Sequence, residues 1–90
     1  MARHNTFALD SETAAHAERM RDVLKTADSA GRGVSFSVQG RDSGTVTYRT
    51  GTVIGFSGDY GMSTETVLVD TDKGPRSFNV WLIRSIQIGE

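Results

Sequence analysis

The sequence contains no cysteine and only one proline among its 90 residues. Without cysteine there is no disulfide framework, no thiolate nucleophile and no cysteine-held zinc, as is typical of a reducing compartment. No stretch approaches the roughly 20 apolar residues that span a bilayer, and the N-terminus lacks the apolar segment of a secretion signal. We therefore expect a cytoplasmic protein that does not enter a membrane.

An excess of charge of either sign is also missing. Ten Lys and Arg residues oppose eleven Asp and Glu residues, which gives a net charge of -1. Composition therefore offers no electrostatic argument for general nucleic-acid or membrane binding. A chain of this length can bury one modest core, so we expect a single domain. Its ten glycines indicate tight turns and bent strands.

The first third of the chain predicts an amphipathic helix. Residues 1–9 are polar and are expected to be a flexible N-terminus. Asp10 can cap a helix, and Gly31 can end it near Ala30 in the left-handed conformation. Apolar side chains recur between them at three- and four-residue steps, at Ala14, Ala17, Met20, Val23, Leu24 and Ala27. The expected solvent face carries Glu18, Arg19, Arg21, Asp22 and Lys25. The predicted helix covers residues 10–30.

From Gly33 onward, apolar and polar residues alternate with the period of a half-buried strand. Such segments occupy residues 34–39, 45–57, 65–70, 78–83 and 85–88. The alternation changes parity near Gly51, where a bulge or bend would fit. No second helix is available to cross between parallel strands. The sequence thus predicts a mainly β domain over residues 10–90, with one N-terminal helix and a five-stranded, bent antiparallel barrel over residues 33–89.

Two short segments resemble the Sm-like group of small β-barrels, which is related in shape to SH3-like barrels. The first reads Gly51-Thr52-Val53-Ile54-Gly55-Phe56-Ser57, followed by Met62-Ser63 and Val67-Leu68-Val69-Asp70. The second reads Val80-Trp81-Leu82-Ile83-Arg84-Ser85-Ile86-Gln87-Ile88. The resemblance implies a helix followed by five bent strands, and assembly into a ring-like homo-oligomer through exposed strand edges.

Three positions depart from the Sm-like pattern. Ser57, Ser63 and Ser85 stand where the family has an aspartate, an asparagine and a glycine. Those family residues help to form its pocket for RNA bases. The resemblance therefore supports the fold and the assembly more than it supports RNA binding.

The sequence offers little that indicates catalysis or a metal site. His4 and His16 have no spacing that places them together on one helix face, and zinc would need further ligands. Asp70 and Asp72 with Gly74 resemble the start of a calcium loop, but Pro75 follows and no glutamate closes it. A hairpin turn is the simpler interpretation. No serine lies in a nucleophile motif, and no phosphate loop is present. We predict a non-enzymatic protein without a cofactor.

Arginines and aromatic residues are the best candidates for ligand binding. Arginine pairs with phosphate and stacks on rings, and exposed aromatic rings can stack on bases. The predicted ligand-binding residues are Arg49, Tyr60, Arg76, Asn79, Trp81 and Arg84. If residues 78–83 form a strand, Asn79 and Trp81 share its outer face. The alternative is that Trp81 belongs to the core under the helix and that the arginines form a solvated rim.

Two functional hypotheses follow. The first is an Sm-like oligomer that binds single-stranded RNA or a small nucleotide-like anion. The second is a small interaction module or inhibitor, an accessory protein that engages a partner protein through a strand edge and Trp81. The dependence of affinity on salt separates them, because phosphate binding weakens steeply with added salt.

Overall fold

The computed structural model describes residues 6–41 and 43–89, which form one helix and one five-stranded antiparallel sheet. The elements in chain order are α1 (Ser11–Ala30), β1 (Gly33–Gln39), β2 (Val46–Ser57), β3 (Thr66–Thr71), β4 (Gly74–Asn79), a 3₁₀ turn (Val80–Leu82) and β5 (Ile83–Ile88). The predicted class, mainly β with an N-terminal helix, is confirmed.

Helix α1 begins and ends at the residues that its sequence predicts. The Asp10 side chain accepts a hydrogen bond from the Thr13 backbone N–H at 2.8 Å, and this bond lowers the pKa of Asp10 below its ordinary value. Gly31 adopts a left-handed conformation with φ of 67° and closes the C-terminus. The buried face of α1 consists of Ala17, Arg21, Leu24 and Ala27. The prediction that Arg21 faces solvent is wrong.

The strands are ordered β4-β3-β2-β1-β5, with every neighbouring pair antiparallel. The predicted barrel is not closed, because within the described residues no ladder joins β4 to β5. Both strands are therefore sheet edges. The sheet nevertheless curls enough for Phe36 on β1 to meet Phe78 on β4, with ring centroids 5.1 Å apart in an edge-to-face arrangement.

The irregularity in β2 lies at Ile54 rather than at Gly51. Gly51 belongs to a regular ladder, opposite Val34 on β1 and Thr71 on β3. The β2–β3 register shifts between Val53 and Gly55, which leaves Ile54 exposed outside the ladder. Gly51 is required for a different reason: a Cβ atom there would contact the Asp70 carbonyl oxygen and Val69. The predicted change in alternation is therefore present, but it lies at Ile54 and not at Gly51.

The predicted strand over residues 78–83 is divided by the 3₁₀ turn. β4 ends at Asn79, the turn buries Val80, and β5 begins at the buried Ile83. Alternation in this segment therefore does not continue, and the prediction that Asn79 and Trp81 share a strand face is wrong. A 3₁₀ turn rotates side chains by about a third of a turn per residue. Val80 and Ile83 consequently point to the same side, into the core.

The core lies between the curled sheet and α1. Its buried side chains include Leu24 from α1, Val34 and Phe36 from β1, Val53 from β2, Val67 and Val69 from β3, and Val80 and Ile83 around the 3₁₀ turn. α1 contacts the 3₁₀ turn and strands β5, β2 and β1. Among the described residues, α1 is not apolar enough to be a candidate for crossing a bilayer.

Residues 6–9, here named the N-terminal strap, pair with the loop between β2 and β3. Two hydrogen bonds join Phe7 to Ser63: the Ser63 backbone N–H donates to the Phe7 carbonyl at 2.8 Å, and the Phe7 backbone N–H donates to the Ser63 side-chain Oγ at 2.9 Å. Leu9 N–H donates to the Gly61 carbonyl at 2.8 Å. The described end of the predicted flexible N-terminus is thus hydrogen-bonded to this loop.

Candidate functional site

The six predicted ligand-binding residues lie at three separate places. Asn79, Trp81 and Arg84 surround the 3₁₀ turn, Tyr60 lies against α1, and Arg49 and Arg76 lie beside Phe78. The structure does not combine Arg76, Trp81 and Arg84 into one cluster, because the 3₁₀ turn redirects the chain between β4 and β5.

Trp81 is half-buried and engaged in internal contacts. Its Nε1 donates to the Ser63 carbonyl at 2.9 Å, and its ring meets Phe7 edge-to-face at a centroid distance of 5.7 Å. Arg84 donates to the Trp81 carbonyl at 3.1 Å. Trp81 thus anchors the N-terminal strap and the β2–β3 loop. Its contacts agree better with the structural alternative than with an exposed binding platform.

Arg84 also lines a shallow groove beside the first turns of α1. Glu12, Thr13 and His16 form the rest of this groove. His16 Nε2 lies 2.6 Å from the Ile83 carbonyl, so this nitrogen donates its proton to that oxygen. His4 lies outside the described residues. Within the part of the chain that the structure describes, no three His, Asp or Glu side chains group to hold a metal ion.

Tyr60 belongs to a clamp between α1 and the β2–β3 loop. The Arg21 guanidinium lies 3.8 Å from the Tyr60 ring centroid and makes two hydrogen bonds to Glu65, at 2.6 and 3.1 Å. Lys25 Nζ donates to the Tyr60 hydroxyl at 2.6 Å. The hydrogen bond to the Glu65 carboxylate raises the pKa of Arg21, despite the opposing effect of burial. We assign Tyr60 to this clamp rather than to a ligand site.

Arg49 and Arg76 lie on the same face of the curled sheet as Phe78. The Arg49 guanidinium carbon lies 5.9 Å from the Phe78 ring centroid. Arg76 lies two residues before Phe78 on β4 and therefore shares its strand face. Both arginines are exposed. Here the structure does bring two predicted cations next to an aromatic ring, which sequence distance alone did not show.

Arg49 lines a groove that we name the β2 notch. It forms because β2 extends beyond β3: the β2–β3 ladder starts at the pair of Gly51 and Thr71, after which the chain turns back into β4. The residues lining the notch are Tyr48, Arg49, Thr50, Gly51, Thr71, Asp72 and Lys73. Tyr48 is 79% exposed, the most exposed large aromatic or aliphatic side chain of the described residues.

Backbone groups also face the notch. In an antiparallel sheet, successive residues direct their N–H and C=O groups to alternate sides of the strand. Gly40 N–H donates to the Thr45 carbonyl at 2.7 Å, so Thr45 directs its backbone groups towards β1. Every second residue of β2 does the same, which includes Arg49 and Gly51. Tyr48 and Thr50 therefore direct their backbone groups into the notch.

The two cations of the notch are available to a ligand. Across residues 6–41 and 43–89, the side-chain ion pair within 4.0 Å is Arg21–Glu65. The charged nitrogens of Arg49 and Lys73 therefore hold no carboxylate, although Asp72 lies in the same groove. The ladder places Arg49 opposite Phe36 and Tyr48 opposite Ser37, so the two side chains leave opposite faces of β2 at this end of the strand. Two cations without carboxylate partners and an exposed phenol along one groove are the groups expected for an anion that carries an aromatic ring.

Sequence reasoning did not select Tyr48 and Lys73 for the site. Lys73 lies in the two-residue turn between β3 and β4, and such a turn is visible in the sequence as Asp-Lys followed by glycine. Lys73 lines the same groove as Arg49 because β2 extends beyond the end of β3. That extension is a property of strand register, which no local sequence pattern encodes. The alternation predicts that the side chains of Tyr48 and Arg49 lie on opposite faces of β2, but it does not predict which of them lines a groove.

Comparison of the chain with known protein families, with curated proteins and with solved structures found no match.

Proposed function

We propose that this protein is a binding module for a nucleotide-type ligand, in which the β2 notch binds phosphate and Tyr48 stacks on the base. The observation that supports this proposal is the pairing of two cations without carboxylate partners, Arg49 and Lys73, with the exposed Tyr48 ring in one groove. Arginine offers a planar fork to phosphate and lysine a point charge. The ring supplies a platform that accepts any base.

The second functional hypothesis, a protein-interaction module that uses Trp81, has less support. Trp81 is half-buried, its Nε1 is bound to the Ser63 carbonyl, and its ring packs on Phe7. An interface anchor is normally an aromatic side chain free to enter a partner's pocket. The exposed edges of the sheet remain compatible with a protein partner, and the salt test below separates the two hypotheses.

Titration with a short uridine-rich RNA and with mono- and cyclic nucleotides at low salt tests the proposal. We expect binding that weakens as salt is added, because phosphate neutralisation releases counterions. Arg49→Ala and Lys73→Ala should each weaken RNA binding by about tenfold, the effect of removing one charge-assisted hydrogen bond. Each should also reduce the slope of log affinity against log salt by about 0.7.

Arg19→Ala is the matched control, because Arg19 is an exposed helical arginine far along the chain from the notch. It changes the net charge equally and should leave affinity nearly unchanged. Absence of binding to every probe at high micromolar concentration would reject the proposal. Equal effects of Arg19→Ala and Arg49→Ala would reject the assignment to the notch. Salt-insensitive binding of a protein partner would favour the second hypothesis.

We also propose that copies of the chain assemble through the edges β4 and β5. Val80 N–H donates to the Glu65 carbonyl at 3.0 Å, so Val80 directs its backbone groups towards β3. Because backbone groups alternate along a strand, those of Ser77 and Asn79 point away from β3. Pro75 occupies the remaining outward position and has no N–H to donate. An exposed edge of this kind is a template for a further strand.

Ser77→Pro is expected to abolish the assembly, because it removes an outward N–H without removing a β3–β4 hydrogen bond. Ser77→Ala, which keeps the backbone donor, should leave the assembly unchanged. Sedimentation velocity at tens of micromolar measures both variants against the unmodified chain. A monomeric unmodified chain under these conditions would contradict the proposal.

A further inference from the structure

A third cation lies on the sheet face that carries the Arg49 side chain. Directly paired residues of an antiparallel ladder project to the same face, and Arg49 is paired with the core residue Phe36. Arg76 is paired with the core residue Val69. Arg76 also precedes Phe78 by two residues, about 7 Å along a strand, and the Arg49 guanidinium carbon lies 5.9 Å from the Phe78 ring centroid. Both arginines therefore border the ring of Phe78 on one face of the sheet.

Lys73 belongs to the same end of the sheet. It lies in the two-residue turn that joins β3 to β4, three residues before Arg76, and it lines the notch together with Arg49. Strand β2, the β3–β4 turn and strand β4 thus contribute one cation each. We name Arg49, Lys73 and Arg76 the cationic triad. It concentrates three positive charges at one place in a chain whose net charge is -1.

The cationic triad keeps its hydrogen-bonding capacity for a ligand. Across the part of the chain that the structure describes, its side chains make no ion pair and no hydrogen bond. Arg49 places the plane of its guanidinium on Phe78, which leaves the N–H groups at the edge of that plane available to oxygen ligands. Asp72 is the acidic residue that lines the notch beside them. Three like charges without counterions repel one another, and a multiply charged anion removes that repulsion.

We infer that the ligand is a nucleoside di- or triphosphate, and that Arg76 binds the phosphate groups beyond the first. This inference rests on the proposed function of the notch, in which Arg49 and Lys73 bind one phosphate. A phosphate monoester carries about −1.5 to −2 charge at neutral pH, which these two cations neutralise. A further phosphate adds the charge and the acceptor oxygens that match the third cation. The phosphates of a nucleic-acid strand carry one charge each and are separated by sugars, so they concentrate less charge at one place.

Isothermal titration calorimetry of the full chain with AMP, ADP and ATP, without divalent cations, tests this inference. Affinity should rise from AMP to ATP by about tenfold or more, the effect of one added charge-assisted hydrogen bond. Arg76→Ala should remove most of this gain and leave AMP binding nearly unchanged. Arg49→Ala should weaken the binding of all three nucleotides. Tyr48→Ala should weaken the binding of ATP but not that of tripolyphosphate, which has no base to stack on a ring.

Arg19→Ala, which removes an exposed arginine of α1, is the matched control and should preserve the ratio of ATP to AMP affinity. Trp81 fluorescence, from the single tryptophan of the chain, reports that each variant is folded. Equal affinity for AMP and ATP, a ratio that Arg76→Ala leaves intact, or tighter binding of the uridine-rich RNA than of ATP at equal salt would overturn this inference while the phosphate-binding proposal stands. An ATP affinity that Tyr48→Ala leaves unchanged would overturn the assignment to a nucleoside. Binding of no nucleotide and no RNA would overturn both proposals.

Discussion

Glu65→Ala is expected to lower the free energy of unfolding by about 3–5 kcal/mol, the cost of breaking a buried ion pair from one side. Glu65 is 1% exposed and accepts two hydrogen bonds from Arg21, whose residue is 8% exposed. Removing the carboxylate leaves the guanidinium buried without its counterion. Small domains are typically stable by only about 5–15 kcal/mol, so the loss would be a large share of the total.

Urea unfolding followed by Trp81 fluorescence measures this change. Lys25→Ala is the matched control, because Lys25 makes an exposed hydrogen bond to Tyr60 in the same clamp and should cost about 1 kcal/mol or less. The double variant Arg21→Met with Glu65→Leu should recover most of the loss, since apolar residues of similar volume remove the buried charges together. Similar costs for Glu65→Ala and Lys25→Ala would refute the assigned role of the pair.

Gly58→Ala is expected to cost about 2–5 kcal/mol through two separate effects. Gly58 has φ of 86°, a conformation that costs an L-residue about 1–2 kcal/mol. An added Cβ would also contact the Thr64 carbonyl oxygen and would lie 2.9 Å from Glu65 Cα. Crowding of backbone atoms adds about 1–3 kcal/mol. The displaced backbone is the one that positions Glu65 beneath Arg21.

Gly61→Ala separates the two effects. Gly61 has φ of 81° in the same loop, but an added Cβ there would meet nothing within 4 Å. Its expected cost is therefore the conformational part alone, about 1–2 kcal/mol. Denaturant unfolding of the two variants gives the contribution of the close approach by difference. If Gly58→Ala proves no more costly than Gly61→Ala, the close contact with Thr64 and Glu65 is not rigid.

The elements with local signals were predictable from the sequence. The Asp10 cap, the Gly31 terminus and the alternation that begins at Gly33 each depend on residues within one or two turns of chain. The 3₁₀ turn was not predictable in this way. Val80, Leu82 and Ile83 continue the apolar spacing of a strand, and only packing beneath α1 selects a turn there.

The role of Arg21 had a signal that was overlooked. It lies four residues after Ala17 and three before Leu24, which places it on the buried stripe of α1. An arginine at such a position requires a buried partner. The partner, Glu65, lies 44 residues away in the sequence. No local pattern connects the two, so the pair could be anticipated but not identified.

The candidate site shows the same division. Arg49 was predicted from its residue type. Tyr48 and Lys73 belong to the site because β2 extends beyond the end of β3, so that these residues line one groove with Arg49. Trp81 was predicted as a ligand-binding residue, but the 3₁₀ turn directs it to Ser63 and Phe7. Residue chemistry suggested cations and rings. Their grouping depended on where each strand ends.

By itself, the sequence determined one helix, the bent strands and their polar and apolar faces, because hydrogen bonding and burial within an element repeat with a fixed period. Only the tertiary structure decided that the sheet stays open between β4 and β5, that Arg21 is buried on Glu65, and that Arg49 and Lys73 line one groove. These features join residues distant in sequence. They depend on register and strand length, which are fixed when the whole sheet packs against α1.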